Sequence, residues 1–191
     1  MLAIMSAAFA LVSAPSVEAG GNERLSYDLD ARESRVSARV AFFGLASKTA
    51  TFPRMEGRVQ VVPGAPERAV IDVTLDARAL EAPDDVTLRR LRGDKFFWVE
   101  RYPQVRFEGR GIVLETPTRG RVTGQLTARG VTRPETLSVE FARDPTIEGA
   151  QPIDLTGRME IDRRDYGMRS YALIVGNTVR ISLRARLLPR R

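Results

Sequence analysis

The sequence predicts an all-β protein: eight or nine antiparallel strands, closed either as a sandwich or as an up-and-down barrel, with one short helix. Three observations carry this. From Leu25 onward apolar and polar residues alternate with a period of two, the pattern of strands with one buried and one wet face. Gly, Pro, Asp and Asn punctuate the runs and mark turns between them. No run is separated from the next by a spacing of βαβ length, so the strands pair antiparallel.

The elements follow in order. Leu25, Tyr27 and Leu29 alternate with Ser26, Asp28 and Asp30, and Val36, Ala38, Val40 and Phe42 share a face opposite Ser37 and Arg39. Gly57, Val59 and Val61 form the next apolar face, followed by Ile71, Val73 and Leu75. Val105, Phe107, Gly109 and Gly111 come after, then Val122, Gly124, Leu126 and Ala128. Leu137, Val139 and Phe141 precede Leu155, Gly157, Met159 and Ile161, and Val179, Ile181, Leu183, Ala185 and Leu187 close the series. One stretch, "APDDVTLRRLRG" (82–93), reads as a helix. Pro83 and two acids stand at its start, and Gly93 lies just past its end. Asp94 is placed to cap a further helical turn carrying Phe96, Phe97 and Trp98, which Pro103 ends. Many residues on the apolar faces are small. They leave room for a cavity, or they mark the bulges and bends that curl a sheet.

Composition narrows the function. The 191 residues suffice for one domain with its own core. Cys and His are both absent. That excludes disulfides, thiolate nucleophiles, histidine-based triads and the commonest metal ligand. The net charge is +6, and the lysines are at 48 and 95 alone, so 28 of the 30 basic residues are Arg. These lie mostly on polar strand faces, and the aromatic-plus-basic pattern of an RNA-binding sheet is missing, so no nucleic-acid partner is expected. No cofactor, metal or catalytic residue is expected either. Asp84/Asp85 and Asp162/Asp165 lack an accompanying base, and no phosphate-binding glycine motif is present.

The first residues read as a targeting segment. "LAIMSAAFALV" (2–12) is too short to span a bilayer, which takes about 20 residues, and suits the apolar core of a secretory signal. "VEA" (17–19) offers a cleavage point, although no Lys or Arg precedes the apolar run. Residues 1–19 are therefore expected to be a signal peptide and 20–191 the domain, with no transmembrane anchor in the mature chain. A buried N-terminal helix is the alternative.

Six stretches, in order, match one known pattern: "ESRVSARVAFFG" (33–44), "TFPRMEGRV" (51–59), "LRGDKFFWVERYPQVRFEG" (91–109), "GQLTARGVTRP" (124–134), "IDRRDYGM" (161–168) and "VGNTVRISLRAR" (175–186). Together they resemble the YceI-like family of bacterial polyisoprenoid-binding proteins. The resemblance implies an extended, lipocalin-like antiparallel β-barrel; joined to the strands and helix read above, the expected fold is an eight-stranded antiparallel, lipocalin-like β-barrel with one short helix or lid segment. The resemblance also implies a long isoprenoid held in the interior and a periplasmic or secreted location. Family members often carry His in the first long strand; this chain has none, so no His-dependent role is carried over.

Candidate contacts for an apolar tail are Phe42, Phe52, Leu75, Phe107, Leu126, Val139, Met159, Tyr166 and Leu183, with Leu88, Leu91, Phe96 and Phe97 from the lid. Each inner-face residue alone fits a packed core better than a ligand contact, and it is their shared face that points to a lining; the two lid phenylalanines either touch a ligand or stopper the barrel. Trp98 is expected to face the other way, toward a rim. Head-group candidates are Arg133, Arg163, Arg164 and Arg169, with Arg163 or Arg164 first. Pairing of one of these with Asp162 or Asp165 is the competing expectation. Two other functional classes stay open. One is a structural or stress-related periplasmic protein that acts through its surface and has a solid core. The other is an enzyme on a lipid-like substrate using Tyr27 or Tyr166. Oligomeric state is left open, a homodimer included.

Overall fold

A computed structural model describes residues 24–44, 46–145 and 150–190; residues 1–19, expected from the sequence to be a signal peptide, lie outside these. Ten strands are present: β1 (Leu25–Leu29), β2 (Arg35–Phe42), β3 (Ala46–Phe52), β4 (Met55–Val62), β5 (Ala65–Asp76), β6 (Gln104–Thr116), β7 (Arg119–Ala128), β8 (Val131–Phe141), β9 (Ile153–Asp162) and β10 (Val175–Pro189). The helix α1 spans Asp85–Arg92, and 3-10 turns cover Ala77–Ala79 and Arg163–Tyr166.

All pairings are antiparallel, and β1-β4-β5-β6-β7-β8-β9-β10 closes on itself through β10 against β1. The result is a closed eight-stranded barrel, which resolves the choice between sandwich and barrel. The ten strands fill eight positions because β1/β2 and β3/β4 are two bent strands. β10 pairs with β2 up to Arg184↔Arg35 and with β1 from Leu187↔Leu29. Between those points Asp30 N–H donates to the Arg186 carbonyl (2.8 Å), and Arg186 N–H donates to Ser34 Oγ (3.1 Å). The kink therefore leaves no ladder group of Arg186 unpaired. The second bend falls at Pro53, which has no N–H to give to a ladder.

β3 escaped the alternation reading, and the register shows why. Val36, Ala38 and Val40 face Phe52, Ala50 and Lys48. The inner face of β3 thus carries a lysine and an alanine where alternation would need large apolar residues. Between β7 and β8 the Arg129-Gly130 turn has φ of 51° and 72°, the two positive values that a tight two-residue hairpin requires. A Cβ at Gly130 would also come within 2.5 Å of the Tyr102 ring.

Three of the inner glycines do not create the hollow described below, whereas Ala38, Ala128 and Ala185 border it. A Cβ on Gly109 would lie 2.6 Å from Val122, one on Gly124 2.6 Å from Phe107, and one on Gly157 2.8 Å from Leu183. Larger neighbours lie over these glycines and fill their space. Gly111 (φ 71°) sits at the β6 bulge, where the register with β7 slips between Arg110 and Val113. At these positions the glycines serve curvature and close packing.

Candidate functional site

The barrel is hollow. Val36, Ala38 and Val40 of β2 and Val179, Ile181 and Leu183 of β10 point inward, yet each is only half-buried. They border a cavity of about 320 Å³, within the size range of small-molecule sites, about 300–1,000 Å³. It extends along β5 from Pro66 to Leu75, a strand path of about 30 Å at ~3.3 Å per residue. Its lining is aliphatic and aromatic except for Tyr27, Lys48, Thr49, Arg163 and Arg184.

One end is covered by α1 and the turns after it. Asp84 caps the helix, with Oδ1 accepting from Thr87 N–H (2.8 Å) and Oδ2 accepting from Thr87 Oγ1 (2.9 Å). Oδ2 also accepts from Lys48 Nζ at 2.8 Å. The ammonium, with the two Thr87 bonds after it, holds the Asp84 carboxyl far below the usual carboxylate range. Lys48 stands in the inward register of β3, so this ion pair latches the first turn of α1 to the barrel mouth. Gly93 N–H ends the helix on the Arg89 and Arg90 carbonyls.

The expected second helical turn is absent. Phe96, Phe97 and Val99 N–H groups reach back to the carbonyls of Gly93, Leu91 and Arg92, while Asp94 pairs with Lys95 instead of capping. Backbone bonds to the open C-terminal carbonyls of α1 take the place of a new cap. The turns aim Phe96 and Phe97 into the cavity. Phe97 meets Phe52 edge-on at 5.7 Å, and Phe96 stacks on Tyr171 at 5.9 Å. Trp98, at φ 49°, turns toward the rim, edge-on to Tyr102 with the Arg101 guanidinium 4.9 Å from its ring.

Of the tail-contact candidates, Phe52, Leu75, Leu91, Phe96, Phe97, Phe107, Leu126, Val139, Met159 and Leu183 line the cavity. Three others lie apart from it. Phe42 packs on Phe43 and under Lys48. Leu88 packs against the core from the outer part of α1. Tyr166 is fully buried and donates its hydroxyl to Glu135 Oε1 at 2.8 Å. It fills the gap where β8 leaves β9, since those strands pair only over Ser138–Phe141 and Leu155–Arg158.

The head-group arginines are dispersed. Arg163 is buried at the cavity end, but its guanidinium donates to four backbone carbonyls: Gly176 (2.9 Å), Ser170 (2.8 Å), Val175 (3.0 Å) and Met168. Those bonds tie the segment before β10 to the end of β9. Arg164 chelates Asp162, with contacts of 2.5 and 3.0 Å, and this pairing is the main reason the Asp162 pKa falls to about 2. Arg133 and Arg169 are exposed. A further positive group of the lining is Lys48, which meets a carboxylate at the lid rather than backbone carbonyls and which composition alone marked only as one of two lysines. Arg129 was missed for a similar reason. It joins the β7–β8 hairpin to the lid by donating to the Asp94 carbonyl (2.7 Å), and to the 3-10 turn by donating to Gly167 O.

Burial raises the pKa of both Tyr27 and Tyr166, and Glu135 adds to the rise at Tyr166. Each is therefore a neutral phenol at physiological pH. Tyr166 does not face the cavity, which removes one of the two candidate catalytic tyrosines from the neighbourhood of any cargo. Among the described residues no group of three or more Asp or Glu is arranged to hold a metal.

Fold and site together define a closed antiparallel barrel that encloses an elongated apolar cavity beneath a latched lid. A YceI-like domain model matches residues 27–187, and the chain belongs to the YceI-like family. It is 24% identical over 145 residues to a UPF0312 protein of Azotobacter vinelandii, covering 74% of each chain. It is 25% identical over 146 residues to a UPF0312 protein of Photorhabdus laumondii, covering 75% of this chain and 74% of that one. Among solved structures it is similar to BcnA of Burkholderia cenocepacia, with a TM-score of 0.74 and 22% identity, over 83% of this chain and 98% of that one. It is also similar to a polyisoprenoid binding domain from Saccharophagus degradans implicated in plant cell wall breakdown. There the TM-score is 0.67 and the identity 17%, over 87% and 99% of the two chains. These likenesses at low identity establish a shared fold.

Proposed function

We propose that the protein is an exported, non-enzymatic carrier that sequesters one long apolar lipid of the polyisoprenoid type inside its barrel. The observation that carries this reading is the cavity itself. The inward side chains of β2 and β10 named above are half-buried although they face the interior, because about 320 Å³ is left unfilled. A void of that size lined by apolar groups forfeits packing that a solid core would gain, and an apolar ligand restores it. Burial then favours binding by about 25 cal/mol per Å² of apolar area, less the ordering costs. The same cavity weighs against a surface-acting protein with a solid core. Family membership and the likeness to the polyisoprenoid binding domain of Saccharophagus degradans support the choice of lipid. Export rests on the apolar run at 2–12.

The test is native purification followed by organic extraction and lipid mass spectrometry. A stoichiometric isoprenoid is the expected result, and repeated recovery of empty protein that also takes up no added polyprenol would refute the reading. The order in which a signal is removed is tested separately, by N-terminal sequencing of protein recovered from the periplasm or the medium.

A further inference from the structure

Four of the six large apolar side chains exposed among the described residues cluster at the lid end of the barrel: Leu173 (99% exposed), Phe43 (64%), Val86 and Tyr171. They come from three segments that touch. Phe43 N–H donates to the Ile174 carbonyl at 2.8 Å, which joins the β2–β3 turn to the loop before β10. Tyr171 stacks on Phe96 of the lid and lies 5.7 Å from the Arg90 guanidinium of α1. Val86 is one helical turn from Arg90, on the same face of α1. Phe43 and Tyr171 have φ of 52° and 59°, an uncommon and costly conformation for bulky residues whose occurrence points toward function.

We propose that this rim docks on an anionic phospholipid bilayer. Leu173 enters the acyl boundary, and Arg90 and Arg169 lie at the level of the lipid phosphates. Two features select this occupant. The first is charge. Arg90 stacks on the patch itself, Arg169 stands two residues before Tyr171, and the whole chain carries +6. Asp85, Asp94 and Asp165 are the carboxylates nearest in sequence; Asp94 pairs with Lys95, and Asp84 and Asp162 are neutralised by Lys48 and Arg164. Basic groups around protruding apolar side chains match an anionic interface. The second feature is continuity. Phe96 both lines the cavity and stacks on Tyr171, two residues before Leu173, so it links the exposed patch to the interior. The inference extends the carrier reading, but docking is measured without cargo, so either can fail alone.

The test is co-sedimentation of the full chain with phosphatidylglycerol–phosphatidylcholine vesicles and with pure phosphatidylcholine vesicles, at low and high salt. Binding should require phosphatidylglycerol and weaken with salt. Leu173→Asp, at a side chain with no packing to lose, should cut the partition coefficient about tenfold or more. Arg169→Glu should cut it about fivefold or more, with the thermal midpoint unchanged in both variants. Three results would overturn the proposal. One is no vesicle binding. Another is equal binding by Leu173→Asp, which would assign the affinity to residues 1–23 or to net charge. The third is a dimer in light scattering that Leu173→Asp dissolves while neither form binds vesicles, which would assign the patch to a second copy of the chain.

Discussion

Arg163 donates to four backbone carbonyls at one end of the cavity, whereas Lys48 faces the same cavity and meets one carboxylate. The first clamps the backbone and the second forms a single side-chain ion pair. Replacing Arg163 by Met would leave several buried carbonyls without a donor, at about 1–3 kcal/mol each before relaxation. We therefore expect Arg163→Met to lose about 3 kcal/mol or more in urea unfolding with an unchanged m-value, and Arg163→Lys to recover part of it. Tyr166→Phe removes one hydrogen bond to a carboxylate and should cost about 1.5–3 kcal/mol. Its pH dependence has a definite sign. The folded-state pKa of Tyr166 lies above the unfolded value near 10, so its contribution is complete below about pH 10. It is lost as pH rises through the folded value, and in Tyr166→Phe that alkaline loss should shrink in a pH series of thermal midpoints. In the sequence "RRDYG" offered two adjacent arginines as equals. Which one is buried depends on the 3-10 turn that places Arg163 inward and Arg164 beside Asp162.

At the scale of elements, α1 was legible almost to the residue, since Asp84 and Gly93 are local signals that act within one turn. The segment after it was legible in place but not in form. A further helical turn was expected, and the chain instead folds back on the open carbonyls of α1. The latch between Asp84 and Lys48 could not be seen, because it joins residues 36 positions apart through the β2–β3 register. Asp84→Asn keeps an oxygen for the cap but weakens the charge pairing. We expect a few-fold faster exchange of a bound fluorescent lipid in stopped-flow mixing, with little change in its equilibrium affinity. The strands give a paired test of where the hollow lies. Ala38 borders the cavity, whereas a Cβ on Gly124 would meet both the Phe107 ring and the Glu108 carbonyl at 2.6 Å. Gly124→Ala should therefore destabilise by about 1–3 kcal/mol, as overpacking does. Ala38→Leu should change stability by about 0.5 kcal/mol or less while reducing the amount of extractable lipid.

At the scale of the whole molecule, the barrel is dressed in ion pairs between neighbouring strands, such as Arg106 with Asp72 and Arg180 with Glu160. Exposed pairs of this kind contribute little singly. Together they set the acid limit. The carboxyls of Asp72, Asp76, Asp84 and Asp162 are all lowered by basic partners. Their stabilising contribution is thus fully present above the unfolded value near 4 and falls away as pH drops toward and below about 2. The thermal midpoint should hold between pH 5 and 8 and fall progressively below about pH 4, and raised salt should shift the midpoint at neutral pH only slightly.

The sequence by itself determined the all-β class, the antiparallel pairing, the place of the one helix and the inward faces of most strands. Each of these follows from period-two alternation or from a turn or cap signal within a few residues. Tertiary structure decided closure into eight positions through two bent strands, and the departure of Phe42, Leu88 and Tyr166 from the cavity wall. It also decided the use of Arg163 as a backbone clamp and of Lys48 as the cation at the mouth. The reason is that burial and partner choice are properties of the register between strands. Alternation says which side of a strand a residue takes, but not what stands opposite it, nor whether the space it faces is filled.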